Sequence, residues 1–304
     1  MIGTKFTLEN ADGHSIVIND HETDPQNLIA LQEYPTFEME IKNQEISKEG
    51  QHGIWDFHSF YGKRLIVFSG VIIGEDEEKV VELQDQLKLV VGLPLEPTDT
   101  NNGVITIKYT DPRGRALQTT GKISSPMRFS RSMKQPFRLN FQLILKSANP
   151  DIESQIETED IGKRAYLIGS LQLPTKLSAK IDIVDRQLLT VTNIGNTYAK
   201  PRIVINGKLT NPIIRNLSTG KYMSFTRVVS LGDQIKIDVA AGTITDKDDV
   251  DISGDLDEGS EFIQLKTGDN IFQLLSDENE TEKPVATRII PDEEIKVNHR
   301  DTYL

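Results

Sequence analysis

The stretch VTNIGNTYAKPRIVINGKLTNPIIRNLSTGKY (Val191–Tyr222) decides the fold of the second half of the chain. It contains no cysteine, histidine, aspartate or glutamate, so almost none of its side chains perform chemistry. Within it, RIVINGKL alternates apolar and polar residues, which is typical of a half-buried strand. The pairs Asn206-Gly207 and Thr219-Gly220 predict the tips of hairpins. Asn211-Pro212 predicts an extended step at which the chain leaves a sheet edge. The stretch therefore predicts hairpins of a β-sandwich.

The same alternation continues over both halves of the chain. In the first half it predicts strands over Lys5–Asn10, Ser15–Asp20, Pro35–Ile41, Lys63–Gly74, Val104–Thr110 and Pro136–Ser147, with tight turns at Asp12-Gly13 and Asp111–Gly114. Residues 148–164 read as a polar connection, which places a domain boundary near residue 150. In the second half it predicts strands over Leu177–Val184, Gln187–Asn193, Arg202–Leu209, Tyr222–Ser230, Asp233–Ala240, Glu261–Thr267 and Asn270–Ser276. Short strands separated by regular turn signals predict a sandwich.

One segment, EDEEKVVELQDQLKLVVGLP (Glu75–Pro94), has helical periodicity instead. Its apolar residues form one stripe, made by Val80, Leu83, Leu87 and Val90. Acidic residues crowd the first turn, where the helix dipole favours negative charge. Gly92 is expected to end the helix in a left-handed cap, and Pro94 prevents its continuation. The segment predicts a helix near residues 76–91 that packs on a sheet.

Composition limits the possible functions. The 304 residues are 37% hydrophobic and 26% charged, with a net charge of −12 and no cysteine. The negative charge disfavours general binding to nucleic acid, and the absence of cysteine excludes disulfides, thiolate nucleophiles and thiolate zinc sites. No apolar run approaches the roughly 20 residues that span a bilayer, and the first residues lack the pattern of a secretory signal. We therefore expect no membrane partner and production in a reducing cytoplasm.

The sequence contains no recognisable catalytic motif. It has no G-x-S-x-G elbow, no G-x-x-x-x-G-K-[ST] phosphate loop and no H-E-x-x-H helix. Its five histidines are His14, His21, His52, His58 and His299. His52 and His58 flank Trp55 and could share one strand face, as a metal would require, but a third ligand at suitable spacing is missing. We expect a loop and strand edge there, and predict no catalytic residues, no metal site and no cofactor.

The acidic segment Thr245–Glu261 is tested for calcium. Asp249, Asp251, Ser253 and Gly254 match the first half of an EF-hand loop, but the bidentate glutamate position is Ser260, and Glu261 comes one residue late. Because the sequence predicts no flanking helices, we expect a solvated hairpin tip.

Charge is distributed unevenly along the chain. The segment from Arg113 to Lys146 has basic residues and no acid; they are Arg113, Arg115, Lys122, Arg128, Arg131, Lys134, Arg138 and Lys146. From Thr245 onward the chain is strongly acidic. Nucleic-acid binding, complementary faces between copies of the chain and ordinary solvated strand faces all remain open explanations.

A string of motifs in the second half resembles the C-terminal domain of the siphophage distal tail protein family. The motifs are NIGNTYAKPRIVING (Asn193–Gly207), NPIIRN (Asn211–Asn216), LGDQIKID (Leu231–Asp238), LDEGSEFIQLKTGDN (Leu256–Asn270) and HRDTYL (His299–Leu304). In the first half, GIWDFHSFYGKRLIVFSG (Gly53–Gly70), the helix after it and the PFRLNFQL strand resemble the N-terminal domain of that family. The resemblance thus covers most of the chain.

The resemblance implies a mainly β fold in two domains. It implies that residues 1–150 form a β-sandwich or barrel domain with one α-helix, which assembles six copies into a ring. It implies that residues 151–304 form a galectin-like β-sandwich outside the ring. The expected place is the virion tail tip, where the ring is a hub between the tail tube protein, the tail-associated lysin or fibre, and the receptor-binding or baseplate proteins. DNA is expected at most to pass through the ring lumen.

Two rival functions are retained. One is a carbohydrate-binding tail adhesin, although the second half lacks a tryptophan to stack on a sugar and lacks the polar cluster of a galectin site. The other is a β-rich hydrolase, which the missing catalytic motifs disfavour.

Overall fold

The computed structural model describes residues 4–43, 45–47, 54–56, 58–94, 102–131, 134–163, 188–276 and 294–304. The predicted mainly β architecture is confirmed, and the described residues contain one α-helix. They group into two compact units, residues 1–155 with Leu304 and residues 156–303. The predicted strand Leu177–Val184 lies outside the described residues.

The first unit is built around one continuous hydrogen-bonded sheet. The strands of the unit are β1 (Phe6–Asn10), β2 (Ser15–Ile18), β3 (Leu28–Leu31), β4 (Thr36–Lys42), β5 (Glu45–Ser47), β6 (Ile54–Asp56), β7 (Phe60–Ile73), β8 (Ile105–Thr110), β9 (Ala116–Ile123), β10 (Arg128–Arg131), β11 (Arg138–Ser147) and β12 (Ile152–Ser154). Strands β5 and β6 pair with each other in a separate two-stranded sheet, and the others belong to the large sheet. The order is β2-β1-β8-β9-β11-β7-β3, with β4 on β7, β10 on β11 and β12 on β9. The predicted turns at Asp12-Gly13 and Asp111–Gly114 are confirmed, with φ values of 84° at Gly13 and 81° at Gly114.

This sheet curls onto itself. Strands β1 and β7 are four steps apart in its order, which in a flat sheet would separate them by about 19 Å. Instead the ring of Phe6 on β1 lies 5.6 Å from that of Phe68 on β7, and 5.3 Å from Tyr109 on β8. Both phenylalanines are fully buried. The core of the first unit therefore lies inside the curled sheet.

Helix α1 (Glu77–Val91) confirms the predicted helix. Asp76 is its N-cap, and the carboxylate accepts a hydrogen bond from the backbone N–H of Lys79 at 2.8 Å. The predicted stripe is buried at Val80, Leu87 and Val90, whereas Leu83 is only partly buried.

The predicted left-handed cap at Gly92 is wrong, because the residue has φ −59°. Glycine is still required at this position, since a Cβ there would lie 2.6 Å from the carbonyl oxygen of Lys88. Among the described residues, no helix combines the length and the apolarity needed to cross a membrane.

The second unit is a β-sandwich. Its strands are β13 (Thr158–Lys163), β14 (Leu188–Asn193), β15 (Arg202–Asn206), β16 (Leu209–Thr210), β17 (Ile213–Asn216), β18 (Tyr222–Ser224), β19 (Val228–Val229), β20 (Gln234–Asp238), β21 (Thr243–Asp246), β22 (Gly268–Leu275), β23 (Glu294–His299) and β24 (Thr302–Tyr303). One sheet has the order β13-β23-β15-β20-β21 and the other β14-β22-β17-β18. Alternate residues of both sheets, such as Val191, Ile205, Ile214 and Phe272, are fully buried in one shared core.

Three turn predictions in the opening stretch have different outcomes. Thr219-Gly220 is confirmed as a hairpin tip between β17 and β18, with Gly220 at φ 76°. Asn206-Gly207 is not a hairpin tip, because β15 pairs with β20 and β23, and the next strand, β16, pairs with β19. At Asn211 the chain passes from β16 to β17 in another sheet, as predicted. Its conformation there is left-handed, with φ 48°, instead of extended.

The strand predictions need further corrections. Residues 148–164 are not a plain polar connection, since they contain β12 and β13. Among the described strands, β13 pairs with β23 alone and lies at the edge of its sheet. An edge strand tolerates polar side chains, and for this reason the alternation of apolar residues did not predict β13. Glu261–Thr267 is not a strand; Leu265 makes one isolated bridge to Ala199, although Ile263 and Leu265 are buried as the alternation predicts. Tyr222–Ser230 is divided between the short strands β18 and β19.

Candidate functional site

Three buried asparagines organise one end of the sandwich in the second unit. Asn193 ends β14, Asn216 ends β17, and Asn270 lies near the start of β22, which pairs with both strands. Each of these residues is 0% exposed. Burying a polar group without a hydrogen bond costs about 1–3 kcal/mol. Each of these amide side chains therefore requires hydrogen-bond partners. We call the three residues the asparagine network.

Asn270 uses its full hydrogen-bonding capacity. Its Oδ1 accepts from the backbone N–H of Lys266 and from Nδ2 of Asn216, both at 3.0 Å. Its Nδ2 donates to the carbonyl oxygens of Lys266 at 2.9 Å and Gly268 at 3.0 Å. An amide has two donor hydrogens and two acceptor lone pairs, so nothing is left unpaired. Asn270 therefore fixes the turn that enters β22.

The other two asparagines fix the neighbouring loops. Asn216 Oδ1 accepts from the backbone N–H of Ser218 at 3.0 Å. Asn193 Nδ2 donates to the carbonyl oxygens of Thr197 at 2.8 Å and Leu265 at 3.3 Å, and its Oδ1 accepts from the N–H of Gly195 at 3.0 Å. Gly195 also packs against backbone, because a Cβ there would lie 2.0 Å from the carbonyl oxygen of Thr302.

The fixed loops display apolar side chains. Ile194, Tyr198 and Leu217 are 69%, 56% and 50% exposed, respectively, and follow directly on the strands that the asparagine network holds. Large exposed apolar side chains on well-held loops are typical of surfaces that bind another protein. The arrangement can bind a partner protein.

The histidine pair His52 and His58, for which we expected a loop and strand edge, is only partly described. His58 is exposed, Trp55 lies in β6, and His52 lies outside the described residues. Within the described ranges, no three His, Asp or Glu side chains are grouped as a metal would require. His299, the first residue of the HRDTYL motif, is 3% exposed, and its Nε2 lies 3.1 Å from the carbonyl oxygen of Thr192. This contact links β23 to β14.

The acidic segment directs its carboxylates toward basic groups of the same chain. Asp249 lies 2.9 Å from Lys236 Nζ, and Asp255 lies 2.8 Å from an Arg227 guanidinium nitrogen. Asp251 accepts hydrogen bonds from the N–H and the hydroxyl of Ser253, and the hydroxyl is the larger cause of its lowered pKa. The expected solvated hairpin tip is confirmed: the antiparallel bridge from Thr245 to Asp251 is flanked by backbone hydrogen bonds from Asp246 to Val250 and from Ile252 to Ile244.

The basic segment divides into paired and unpaired residues. Arg131 contacts Glu77 of α1, and Arg115 lies 2.6 Å from Asp111. Within the part of the chain that is described, Lys122, Arg128, Arg138 and Lys146 are exposed and form no ion pair. Arg131 therefore already has an ion-pair partner in its own chain, and Arg128 has none among the described residues.

Asp257 gives the second unit a predictable response to acid. Its carboxylate accepts hydrogen bonds from the hydroxyls of Ser224 and Thr226, both at 2.5 Å, and these bonds lower its pKa from the usual 3.8. A lowered folded-state pKa stabilises the fold above the unfolded-state pKa, and this stabilisation is lost as the pH falls through the folded-state value. We expect Asp257→Asn to unfold at lower denaturant concentration at pH 7, and the difference from the parent to shrink below pH 3.8.

Chemical unfolding from pH 7 to pH 3 measures this difference. Glu258→Gln is the matched control, because Glu258 is an exposed neighbouring carboxylate. A difference between Asp257→Asn and the parent that stays constant over the whole pH range would contradict the assignment.

Two of the three residues of the asparagine network lie in a segment that matches a known family. Residues 194–287 match the family model described as "Siphovirus-type tail component, C-terminal domain". This segment therefore resembles a siphovirus-type tail component domain. The expected resemblance to the siphophage distal tail protein family is thereby confirmed. Asn216 and Asn270 fall inside the matched segment, so the motifs that carry the resemblance coincide with the residues that shape the loops.

Solved structures resemble the whole chain in fold. The Dit protein of phage SPP1, described as a paradigm of the hub adsorption apparatus in phages that infect Gram-positive bacteria, has 12% identity and a TM-score of 0.62, covering 98% of this chain and 99% of that protein. Chains from two structures of the phage P2 baseplate in its activated conformation, with calcium and with strontium, have 11% identity and TM-scores of 0.44, covering 97% of this chain and 98% of theirs. The curated proteins compared with the chain gave no match. At these identities the likeness to the SPP1 protein establishes the fold alone.

Proposed function

We propose that this tail component is a distal tail hub protein, a non-enzymatic structural subunit at the tip of a siphovirus or prophage tail. The match of residues 194–287 to the tail component domain carries the proposal. The fold likeness to the SPP1 hub protein over 98% of the chain supports it. The chain works through surfaces, because the side chains placed by its loops are apolar or hydrogen-bonded to backbone.

The two units have different roles in this proposal. The domain of residues 1–150 assembles six copies into a ring that continues the tail tube. The domain of residues 151–304 lies outside the ring and contacts the tail-associated lysin or fibre and the receptor-binding or baseplate proteins. DNA passes through the lumen without specific binding. The chain is made in the cytoplasm of the bacterial host and works in the virion.

The loops held by the asparagine network support an outward docking role for the second domain. Exposed Ile194, Tyr198 and Leu217 form the apolar part of this surface. A docking protein must keep its loops in one geometry while its partners assemble. Four hydrogen bonds on Asn270 and the close fit of Gly195 achieve this without a ligand.

Labelling of virions tests the tail-tip assignment. An antibody raised against the full chain is bound to particles induced from the host that encodes it, and gold conjugates are located by electron microscopy. We expect gold at the tail end opposite the capsid. Labelling on the capsid, or particles that lack the chain by mass spectrometry, would contradict the proposed function.

A further inference from the structure

Strand β7 is apolar on both faces, although a sheet face open to water normally carries polar residues. Its inward residues Ile66, Phe68 and Ile72 are fully buried. Its outward residues Leu65, Val67 and Val71 are only partly buried, and so is Ile144, which pairs with Val67 on β11. We call Leu65, Val67, Val71 and Ile144 the outer strip.

On the β11 side, the outer strip is bordered by basic residues without ion pairs. Arg138 and Lys146 lie near the two ends of β11 and point to the same side as Ile144, since all three are at even positions of one strand. Arg128 on β10 pairs with Gln142 of β11 and shares that side. Within the described residues none of these three forms an ion pair, and all three are exposed. On the β4 side the border is acidic, because exposed Glu38 pairs with Leu65. A surface that covers the strip should therefore be apolar and place its acidic groups toward β11.

The exposed side of α1 has this chemistry. Val81 is 42% exposed and Leu89 is 58% exposed, and both lie on the side of the helix that faces away from the core. Glu78 lies in the first turn, is exposed, and forms no ion pair within the described residues. We call Glu78, Val81 and Leu89 the helix ridge.

The two surfaces are also similar in length. From Leu65 to Val71 the strip runs for about 20 Å along β7 at the usual rise of a strand. From Glu78 to Leu89 the ridge runs for about 16 Å at the usual rise of a helix. A helix laid on a sheet is a standard way to cover an apolar sheet face.

We propose that the helix ridge of one copy covers the outer strip of the next copy. The two surfaces differ, so the contact is head-to-tail and each copy keeps one surface free for a further neighbour. Such a contact continues around a closed ring or along a filament. The inference rests on the proposed function, because it assigns the surface through which the first domain assembles.

Cysteine cross-linking tests the contact. Because the chain has no cysteine of its own, only the introduced cysteines react. The full-length variant Val81→Cys with Ile144→Cys is treated with a short bis-maleimide over a range of protein concentrations. We expect a ladder of covalent oligomers beyond the dimer, whereas each single variant gives dimers at most. The matched control combines Val81→Cys with Arg113→Cys, since Arg113 is exposed in the turn between β8 and β9. Circular dichroism confirms that each variant folds.

Charge reversal provides a second, independent measurement. Arg128→Glu with Arg138→Glu should shift the oligomer toward monomer, most strongly at low salt, and Arg113→Glu, in the exposed β8–β9 turn, should not. Oligomers that form without the ladder would overturn the interface while leaving the tail role intact. A chain that stays monomeric at every concentration would overturn it as well. Absence of the chain from tails, in the labelling experiment, would instead contradict the proposed function.

Discussion

Asn270→Ala should lower the free energy of unfolding of the second unit by about 3–5 kcal/mol. The substitution removes all four hydrogen bonds of a fully buried amide. It leaves the backbone N–H and carbonyl of Lys266, the carbonyl of Gly268 and Nδ2 of Asn216 without this partner. The bond to Asn216 is buried and the other three are partly buried, so the cost exceeds that of an ordinary surface change. Calorimetric or denaturant unfolding of the full chain measures the effect.

Asn206→Ala is the matched control for this prediction. Asn206 also lies on a strand of the second unit, but its buried Oδ1 has no hydrogen-bond partner among the described residues. Removing an unpaired polar atom should change the free energy of unfolding by less than about 0.5 kcal/mol or raise it slightly. An equal loss of unfolding free energy in both variants would contradict the proposal that the asparagine network stabilises the second unit.

Gly195→Ala should destabilise the second unit by about 3 kcal/mol or more. A Cβ at this position would lie 2.0 Å from the carbonyl oxygen and 2.6 Å from the backbone nitrogen of Thr302. Both obstacles are backbone atoms, so no side-chain rotation relieves the clash. The loop would have to move away from Asn193, whose Oδ1 accepts from the N–H of Gly195. We expect a lower melting temperature and weaker recognition by an antibody specific for this loop.

Gly254→Ala serves as the control for Gly195→Ala. A Cβ at Gly254 meets no atom within 4 Å, and its backbone needs no left-handed conformation. Its change in stability should stay within about 0.5 kcal/mol. A stable, normally folded Gly195→Ala protein would show that the loop is not held by close backbone packing.

The sequence predicts the strands well where burial alternates. The positions of β1, β2, β8 and β20 follow from period-2 patterns, because the inward residues of each strand are buried in the core of its own unit. Helix α1 follows from its periodicity and its acidic first turn. The pattern fails at β13, whose edge position leaves polar residues on the strand, and at Glu261–Thr267, where burial occurs without a hydrogen-bonded ladder.

Local signals do not predict the partner of a strand. Asn206-Gly207 has the composition of a hairpin tip, yet β15 and β16 belong to different sheets, because the pairing depends on contacts with the distant β20 and β23. The asparagine network was also not predicted from the individual residues. Asn193, Asn216 and Asn270 resemble ordinary turn residues, and their burial depends on loops more than 50 positions apart in the sequence. The motif string that resembles the distal tail family was the available signal.

In the proposed function, copies of this chain assemble symmetrically into a ring. Native mass measurement of the purified full-length protein, combined with negative-stain imaging of the same sample, tests it most directly. We predict a species of six chains that images as a ring with a central hole. A monodisperse single chain under all solution conditions, with no rings in the images, would contradict the account.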